Sequence, residues 1–154
     1  MKILLPHELA QRVVRELQKA GCREIGGILM GQHVSEECFR IVDLTIQHKG
    51  GGVVSFVRIV SGFIDSLNRF FNRTGHNYKE FNYLGEWHSH PSFSPVPSAV
   101  DVASMDEIIS DESIGANFAI LLIARLDTAQ ELESTVTVFS MAHSPQRAEL
   151  ILES

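Results

Sequence analysis

Stretches with helical spacing interrupt a series of short apolar runs with strand character, and this mixed order is what most constrains the fold. In the first helical stretch, Pro6 to Ala20, the residues Leu9, Val13 and Leu17 fall on one face, and Gly21 follows where a glycine C-cap is expected. The same patterns predict helices over 63–71 and 98–109 and strands over 25–30, 39–46, 53–60, 81–90, 118–124 and 135–141. Because helices interrupt a largely β framework, we expect an α/β (α+β) fold in a single domain over residues 1–154.

The composition is typical of a globular protein of the cytoplasm. Of the 154 residues, 44% are hydrophobic and 21% are charged, which suffices for one buried core. No apolar run reaches the roughly 18 residues of a transmembrane helix, and Met1 to Pro6 is too short and too weakly basic for a secretory signal. Cys22 and Cys38 are too few for a disulfide framework, so we expect both to be small buried apolar groups.

A candidate metal site is indicated by the sequence His88-Ser89-His90 at the end of a predicted strand. Side chains alternate along a strand, so the two histidines face the same way and can reach one metal ion. After a proline-rich turn, Ser98 is expected to cap a helix whose first turn contains Asp101. The Asp101 carboxylate could return to the Ser98 amide in a capping box or face the histidines as a third ligand, and the residues alone leave both open.

Two histidines and one aspartate form a mixed nitrogen and oxygen set of the kind that zinc accepts. Three protein ligands leave the fourth position for water, as in catalytic zinc sites, and zinc lowers the pKa of that water to about 7. A hydrolase also needs a general base, for which Glu24 is the candidate, at the mouth of the glycine-rich segment Ile25 to Gly31 where backbone and substrate can come close. The alternative for Glu24 is a solvated turn residue, and spacing alone cannot place it beside the histidines.

Together these residues resemble the signature of the JAMM (MPN+) metallopeptidase family. The pattern has a glutamate, His-Ser-His, seven residues, a serine, two residues and an aspartate, and it is met in order by Glu24, His88-Ser89-His90, Ser98 and Asp101. The resemblance covers roughly Leu5 to Met141. It implies a curved mixed β-sheet flanked by helices, and a zinc metallo-isopeptidase with one Zn²⁺ per chain.

The resemblance also implies a role for each signature residue. His88, His90 and Asp101 are then the zinc ligands. Glu24 takes a proton from the zinc-bound water and later gives it to the leaving amine. Ser98 helps to hold the developing oxyanion.

The compact chain is similar to free-standing prokaryotic members of the family, which act on ubiquitin-like proteins. We therefore expect hydrolysis of the amide after the C-terminal glycine of a ubiquitin-like modifier, in deconjugation or precursor processing, as in members that accompany bacterial antiphage conjugation systems. The alternatives are a peptidase for sulfur-carrier proteins or small peptides, and a non-catalytic scaffold. The expected partner is the modifier or its conjugates. Nucleic acid is not expected, because the net charge is −6 and the Lys and Arg residues are scattered. A membrane is not expected either, because the sequence contains no apolar run long enough to span one.

The tail of such a modifier must reach the metal as an extended chain, and extended chains are commonly bound at a sheet edge. The candidate edge is Val53 to Arg58, in which Val53, Val54 and Ser55 follow the glycine-rich loop Lys49 to Gly52. The alternative is an internal strand that is already paired on both sides.

Overall fold

Seven strands and three helices make up the part of the chain that the computed structural model describes, residues 1–48 and 56–154. In chain order they are β1 (Lys2–Pro6), α1 (His7–Ala20), β2 (Gly26–Ser35), β3 (Cys38–Leu44), α2 (Phe56–Arg73), β4 (Phe81–Ser89), α3 (Ala99–Ser110), β5 (Phe118–Leu126), β6 (Leu132–Ser140) and β7 (His143–Glu153). This mixed content confirms the predicted fold class. None of these described helices is both long and apolar enough to cross a membrane.

The strands pair into one curved mixed sheet that closes on itself. Their order is β1-β3-β2-β4-β5-β6-β7, and β1 pairs in parallel with both β3 and β7. The strands β4 and β5 also pair in parallel, whereas the remaining neighbours are antiparallel. Sequence patterns missed the two seam strands, because β1 has only five residues and β7 is polar and exposed over its first five residues.

The helix α1 packs inside the curved sheet. Its buried stripe of Ala10, Val13, Leu17 and Ala20 joins one apolar cluster with residues from all seven strands. The helix ends at Gly21, whose φ of 62° suits glycine and whose N–H donates to a carbonyl in the last turn. The prediction of this amphipathic helix is confirmed.

The helices α2 and α3 cover the outer face of the sheet. Two smaller apolar clusters lie there, one between α3 and the strands β5 and β6, and one between α2 and β2. Successive residues of β5 therefore enter different cores: Ile120 and Leu122 lie inside the barrel, and Leu121 and Ile123 lie beneath α3. Burial on both faces explains why β5 is a continuous apolar run.

Two predictions are wrong in the described residues. The extended segment over 53–60 is helical from Phe56 onwards, because α2 begins there, and Val53, Val54 and Ser55 lie outside the described residues. The apolar residues from Phe56 continue the helical spacing of α2, and that pattern outweighs their β propensity. The two cysteines were expected to be buried. Instead, Cys22 is exposed in the turn after α1, and Cys38, the first residue of β3, is only partly buried.

Gly85 lies where β4 approaches β5 too closely for any side chain. Its φ is 149°, and a Cβ atom there would lie 2.0 Å from the carbonyl oxygen of Ile120. Beside it, the pairing of β4 with β2 shifts register between Leu29 and Met30, which is the signature of a β-bulge. After this irregularity, Glu86 pairs with Ile28 of the α2 cluster and so faces outwards.

We predict that Gly85→Ala disrupts the pairing of β4 with β5. The matched control is Gly75→Ala, which has a positive φ of 65° but no atom within 4 Å of the added Cβ. The control should lower the free energy of unfolding by about 1 kcal/mol through backbone strain, and Gly85→Ala by ~3 kcal/mol or more because a steric clash is added. Urea unfolding measures both, and equal losses would contradict the prediction.

Candidate metal centre

The candidate site lies where the parallel strands β4 and β5 end together. His88 is the penultimate residue of β4 and pairs with Gly26 on one side and Ile123 on the other. Because Ile123 belongs to the cluster beneath α3, His88 also points to the outer face. His90 follows the strand, and its backbone N–H donates to Ala124 of β5 over 2.9 Å. The ends of parallel strands are where open α/β sheets place their ligands.

The first turn of α3 brings a carboxylate to the two histidines. Asp101 and Ser98 form a capping box, in which the Ser98 N–H donates to Asp101 Oδ2 over 2.6 Å and the Asp101 N–H donates to Ser98 Oγ over 3.2 Å. The same carboxylate lies 3.3 Å from His88 Nε2 through Oδ1 and 3.6 Å from His90 Nε2 through Oδ2. The carboxylate therefore forms the capping box and also faces both histidines, and its role as a third metal ligand stays a prediction.

The three side chains fit a tetrahedral metal ion. The Nε2 atoms of His88 and His90 are 3.0 Å apart, and all the donor atoms of the group lie within 4.8 Å of one another. Tetrahedral zinc with ligands at 2.0–2.1 Å requires donor separations of about 3.3 Å, which lies inside the observed range. Two imidazole nitrogens and a carboxylate that converge in this way need a proton or a cation between them. His90 and Asp101 are almost fully buried, and His88 is partly exposed, which leaves one side open.

Two contacts orient the ring of His90. Its Nδ1 lies 2.9 Å from the carbonyl oxygen of Ser94, and because a carbonyl only accepts, Nδ1 carries a proton. In the neutral ring, Nε2, on the side of Asp101, is then the nitrogen able to bind a metal. The ring of Phe93 packs on the same imidazole, with 4.2 Å between ring centroids. These two contacts fix both the tautomer and the tilt of the ring.

Ser89 points to the opposite side of β4 and ties the Glu24 segment to the histidine strand. It is fully buried, its Oγ accepts from the Ile25 N–H over 2.9 Å, and its own N–H donates to the Ile25 carbonyl over 2.8 Å. Continuing this register brings the backbone of Glu24 to the end of the sheet where His90 lies. The side chain of Glu24 is half-buried and has a partner of its own. The catalytic role of Glu24 stays a prediction.

The glycines next to Glu24 serve strand packing. A Cβ atom at Gly26 would lie 2.5 Å from the Trp87 carbonyl and 2.9 Å from His88 Cβ, and one at Gly27 would lie 2.1 Å from the Thr45 carbonyl. Such contacts are too short for any side chain. We expected these glycines to let backbone and substrate come close. The backbone approach is present, because Gly26 lets β2 lie directly against the histidine strand and Gly27 lets it lie against Thr45, which follows β3.

Opposing effects act on the Asp101 carboxyl. Burial raises its pKa, but the hydrogen bond from His88, the hydrogen bond from the Ser98 N–H and the positive field of His88 together outweigh burial. The net result holds the pKa of Asp101 well below its ordinary value. This carboxyl is therefore an anion across the physiological pH range, as a metal ligand must be.

Glu86, two residues before His88, is a second buried acid on the outer face. Its Oε1 atom is buried and has no hydrogen-bond partner among the described residues, although the residue as a whole is only half-buried. Burial raises the pKa of Glu86 from 4.5 to about 8. The folded protein therefore holds this proton at pH values where an unfolded chain has released it.

We predict that Glu86 makes the metal-free protein less stable as pH rises. Between pH 4.5 and about 8, Glu86 holds its proton in the folded state and has released it in the unfolded state, so its contribution to the free energy of unfolding falls with pH across this window. Glu86→Gln removes the titrating group, and the decline should become shallower. Urea unfolding at several pH values measures the slope, with the exposed Glu107→Gln as control. A slope that Glu86→Gln leaves unchanged would contradict the prediction.

The sequence predicted the residues that converge at the candidate site, but it did not predict the residues whose hydrogen bonds hold them in position. The structure brings together His88, His90 and Asp101, with Ser98 at the helix cap. The hydrogen bonds between Ser89 and Ile25 could be anticipated only in part, because strand alternation predicts that Ser89 points away from the histidines but does not identify its partner. Another support is Thr135 of β6, whose hydroxyl donates to the buried Pro95 carbonyl, and no local pattern marks it.

Sequence comparisons match this chain to a described protein family and to named relatives. The family described as prokaryotic homologs of the JAB domain matches residues 6–138. A protein named CD-NTase/cGAS isopeptidase from Enterobacter hormaechei subsp. hoffmannii is 29% identical over 153 residues, which is 97% of this chain and 82% of the relative. A protein of the same name from Vibrio cholerae is 36% identical over 81 residues, 51% of this chain and 47% of the relative.

A solved structure has the same fold. The solution structure of a protein from Desulfitobacterium hafniense superposes with a TM-score of 0.71 at 17% identity, covering 99% of this chain and 93% of the other. At that identity the likeness concerns the fold alone. The family match, in contrast, extends over most of the sequence and includes both strands and helix that form the site. The chain therefore belongs to the family of prokaryotic homologs of the JAB domain.

Proposed function

We propose that this protein is a zinc-dependent isopeptidase that hydrolyses the amide after the C-terminal glycine of a ubiquitin-like modifier. The observation that carries the proposal is the convergence of His88, His90 and Asp101, whose nearest donor atoms are 3.0–3.6 Å apart. Three protein donors with one side open form a catalytic rather than a structural zinc site. The whole of residues 1–154 would act as one JAB domain.

Each signature residue has a task in this mechanism. His88, His90 and Asp101 would hold the ion, which when bound supplies a Lewis acid and a nucleophilic water at neutral pH. Glu24 would accept the proton of the attacking water and deliver it to the leaving amine as the C–N bond breaks. The Ser98 Oγ accepts from the Asp101 N–H through a lone pair, so its own O–H is available to donate to the developing oxyanion.

The names of the relatives support the substrate class. Both curated relatives are named isopeptidases of CD-NTase/cGAS, and one of them aligns with nearly the whole chain. We infer that this chain acts on an amide that joins a modifier to a target protein, within a bacterial antiphage conjugation system. A scaffold without catalysis would have no need for a cluster of donor atoms with this spacing.

The first test is metal content. We predict one zinc ion per chain in the wild type, and near-total loss in the double variant His88→Ala plus His90→Ala, because only Asp101 would remain. The matched control is His7→Ala plus His143→Ala, which removes two exposed histidines away from the site. Elemental analysis after dialysis measures the stoichiometry. Stoichiometric zinc in the His88 and His90 variant would refute the site.

The second test separates the base from the ligands. Glu24→Gln keeps the size of the side chain but cannot accept a proton, so we predict a loss of about 10²–10⁴-fold in rate with zinc still bound. The exposed Glu36→Gln should cleave normally. Cleavage is measured on linear and isopeptide fusions of several ubiquitin-like tails, with and without a chelator. If the zinc-loaded wild type binds these fusions and cleaves none of them, the scaffold reading is correct.

A further inference from the structure

The turn that links β4 to α3 is fastened to the sheet at two points. At its start the His90 N–H donates to the Ala124 carbonyl over 2.9 Å. Further along, the Thr135 hydroxyl donates to the Pro95 carbonyl, and both residues are buried, Thr135 with only 6% of its surface exposed. Thr135 comes from β6, far away in sequence, so this bond joins the turn to a different strand from the one that precedes it.

The second fastening point adjoins the carbonyl that orients His90. The Ser94 carbonyl, which accepts from His90 Nδ1 over 2.9 Å, belongs to the peptide bond that leads into Pro95. Proline has no N–H, so that peptide cannot be held through its nitrogen. The Ser94 side chain is exposed, so it adds no packing of its own. The Ser94 carbonyl also accepts from the Val96 N–H over 2.8 Å within the turn, and the Thr135 hydroxyl ties this turn to β6 through the intervening Pro95 carbonyl.

We propose that Thr135 is a positioning residue of the metal centre, acting on His90 through the Pro95 and Ser94 backbone. By anchoring to β6 the turn that carries the Ser94 carbonyl, it keeps the acceptor of the His90 Nδ1–H in place and Nε2 on the side of Asp101. The strand register supports this role, because Thr135 pairs with Ile123 and Ile123 pairs with His88. Thr135 therefore lies in one row with His88 across three neighbouring strands. The inference rests on the proposed metal role of His90.

The test compares three variants of the whole chain. Thr135→Val removes the hydroxyl and nearly keeps the shape, Thr135→Ser keeps the hydroxyl, and Thr137→Val makes the same change two residues along the same strand. Cobalt and zinc affinities are measured by competition with a chelator, together with the visible spectrum of the cobalt form. Thr135→Val should bind about 10–100-fold more weakly, as is usual for a lost outer hydrogen bond, with an altered spectrum. Thr135→Ser and Thr137→Val should match the wild type.

A second measurement needs no metal. In metal-free protein with ¹⁵N-labelled histidine, the His90 Nδ1 proton should exchange with solvent faster in Thr135→Val than in Thr135→Ser or the wild type. If the wild type binds neither cobalt nor zinc, the proposed function fails, and this proton still decides the role of Thr135. If Thr135→Val does not fold, Thr135→Ala takes its place against Thr135→Ser. Unchanged affinity, spectrum and exchange in the variant without the hydroxyl would overturn the inference.

Discussion

The parallel pairing of β4 with β5 is the constraint on which the candidate site depends. It ends both strands at one place, fixes His88 against Ile123 and holds the backbone of His90 on Ala124. The pairing requires a glycine at position 85, because the carbonyl of Ile120 occupies the space of a Cβ atom. The apolar outer side of β5 then seats α3, whose first turn brings the carboxylate to the histidines.

Polar side chains at the candidate metal centre each make two kinds of contact, so a few residues both hold the backbone together and form the site. The carboxylate of Asp101 closes the first turn of α3 and also faces two imidazoles. Ser89 completes the buried pairing of two strands and also brings the Glu24 segment alongside. Since buried polar groups are costly without partners, this sharing gives the buried Asp101 carboxylate and the Ser89 hydroxyl partners within the chain. The structure thus couples the geometry of the site to the stability of the helix start and of the strand pair.

The sequence predicted the parts of the molecule whose signals are local. The stripe of α1, the cap at Ser98 and the same-face relation of His88 and His90 follow from periodicity and spacing, and all are present. Long-range pairing leaves no such signal. The short β1 and the polar β7 are held as strands by pairing with each other and with β3 and β6, and the closure of the sheet therefore could not be read from either segment. For the same reason no pattern linked β6 to the turn after β4.

The parallel contact of β1 with β7 has a consequence for the order of folding. Ile3 pairs with Leu150, so the sheet cannot close until segments from nearly opposite ends of the sequence meet. The antiparallel neighbours β5, β6 and β7 are joined by short connections and can form early, as can β2 with β3. Contacts between distant segments form slowly because the loop entropy is lost before the contact is gained. We therefore expect barrel closure to be the late step. The apolar cluster around α1 should remain open to solvent until β1 pairs with β7.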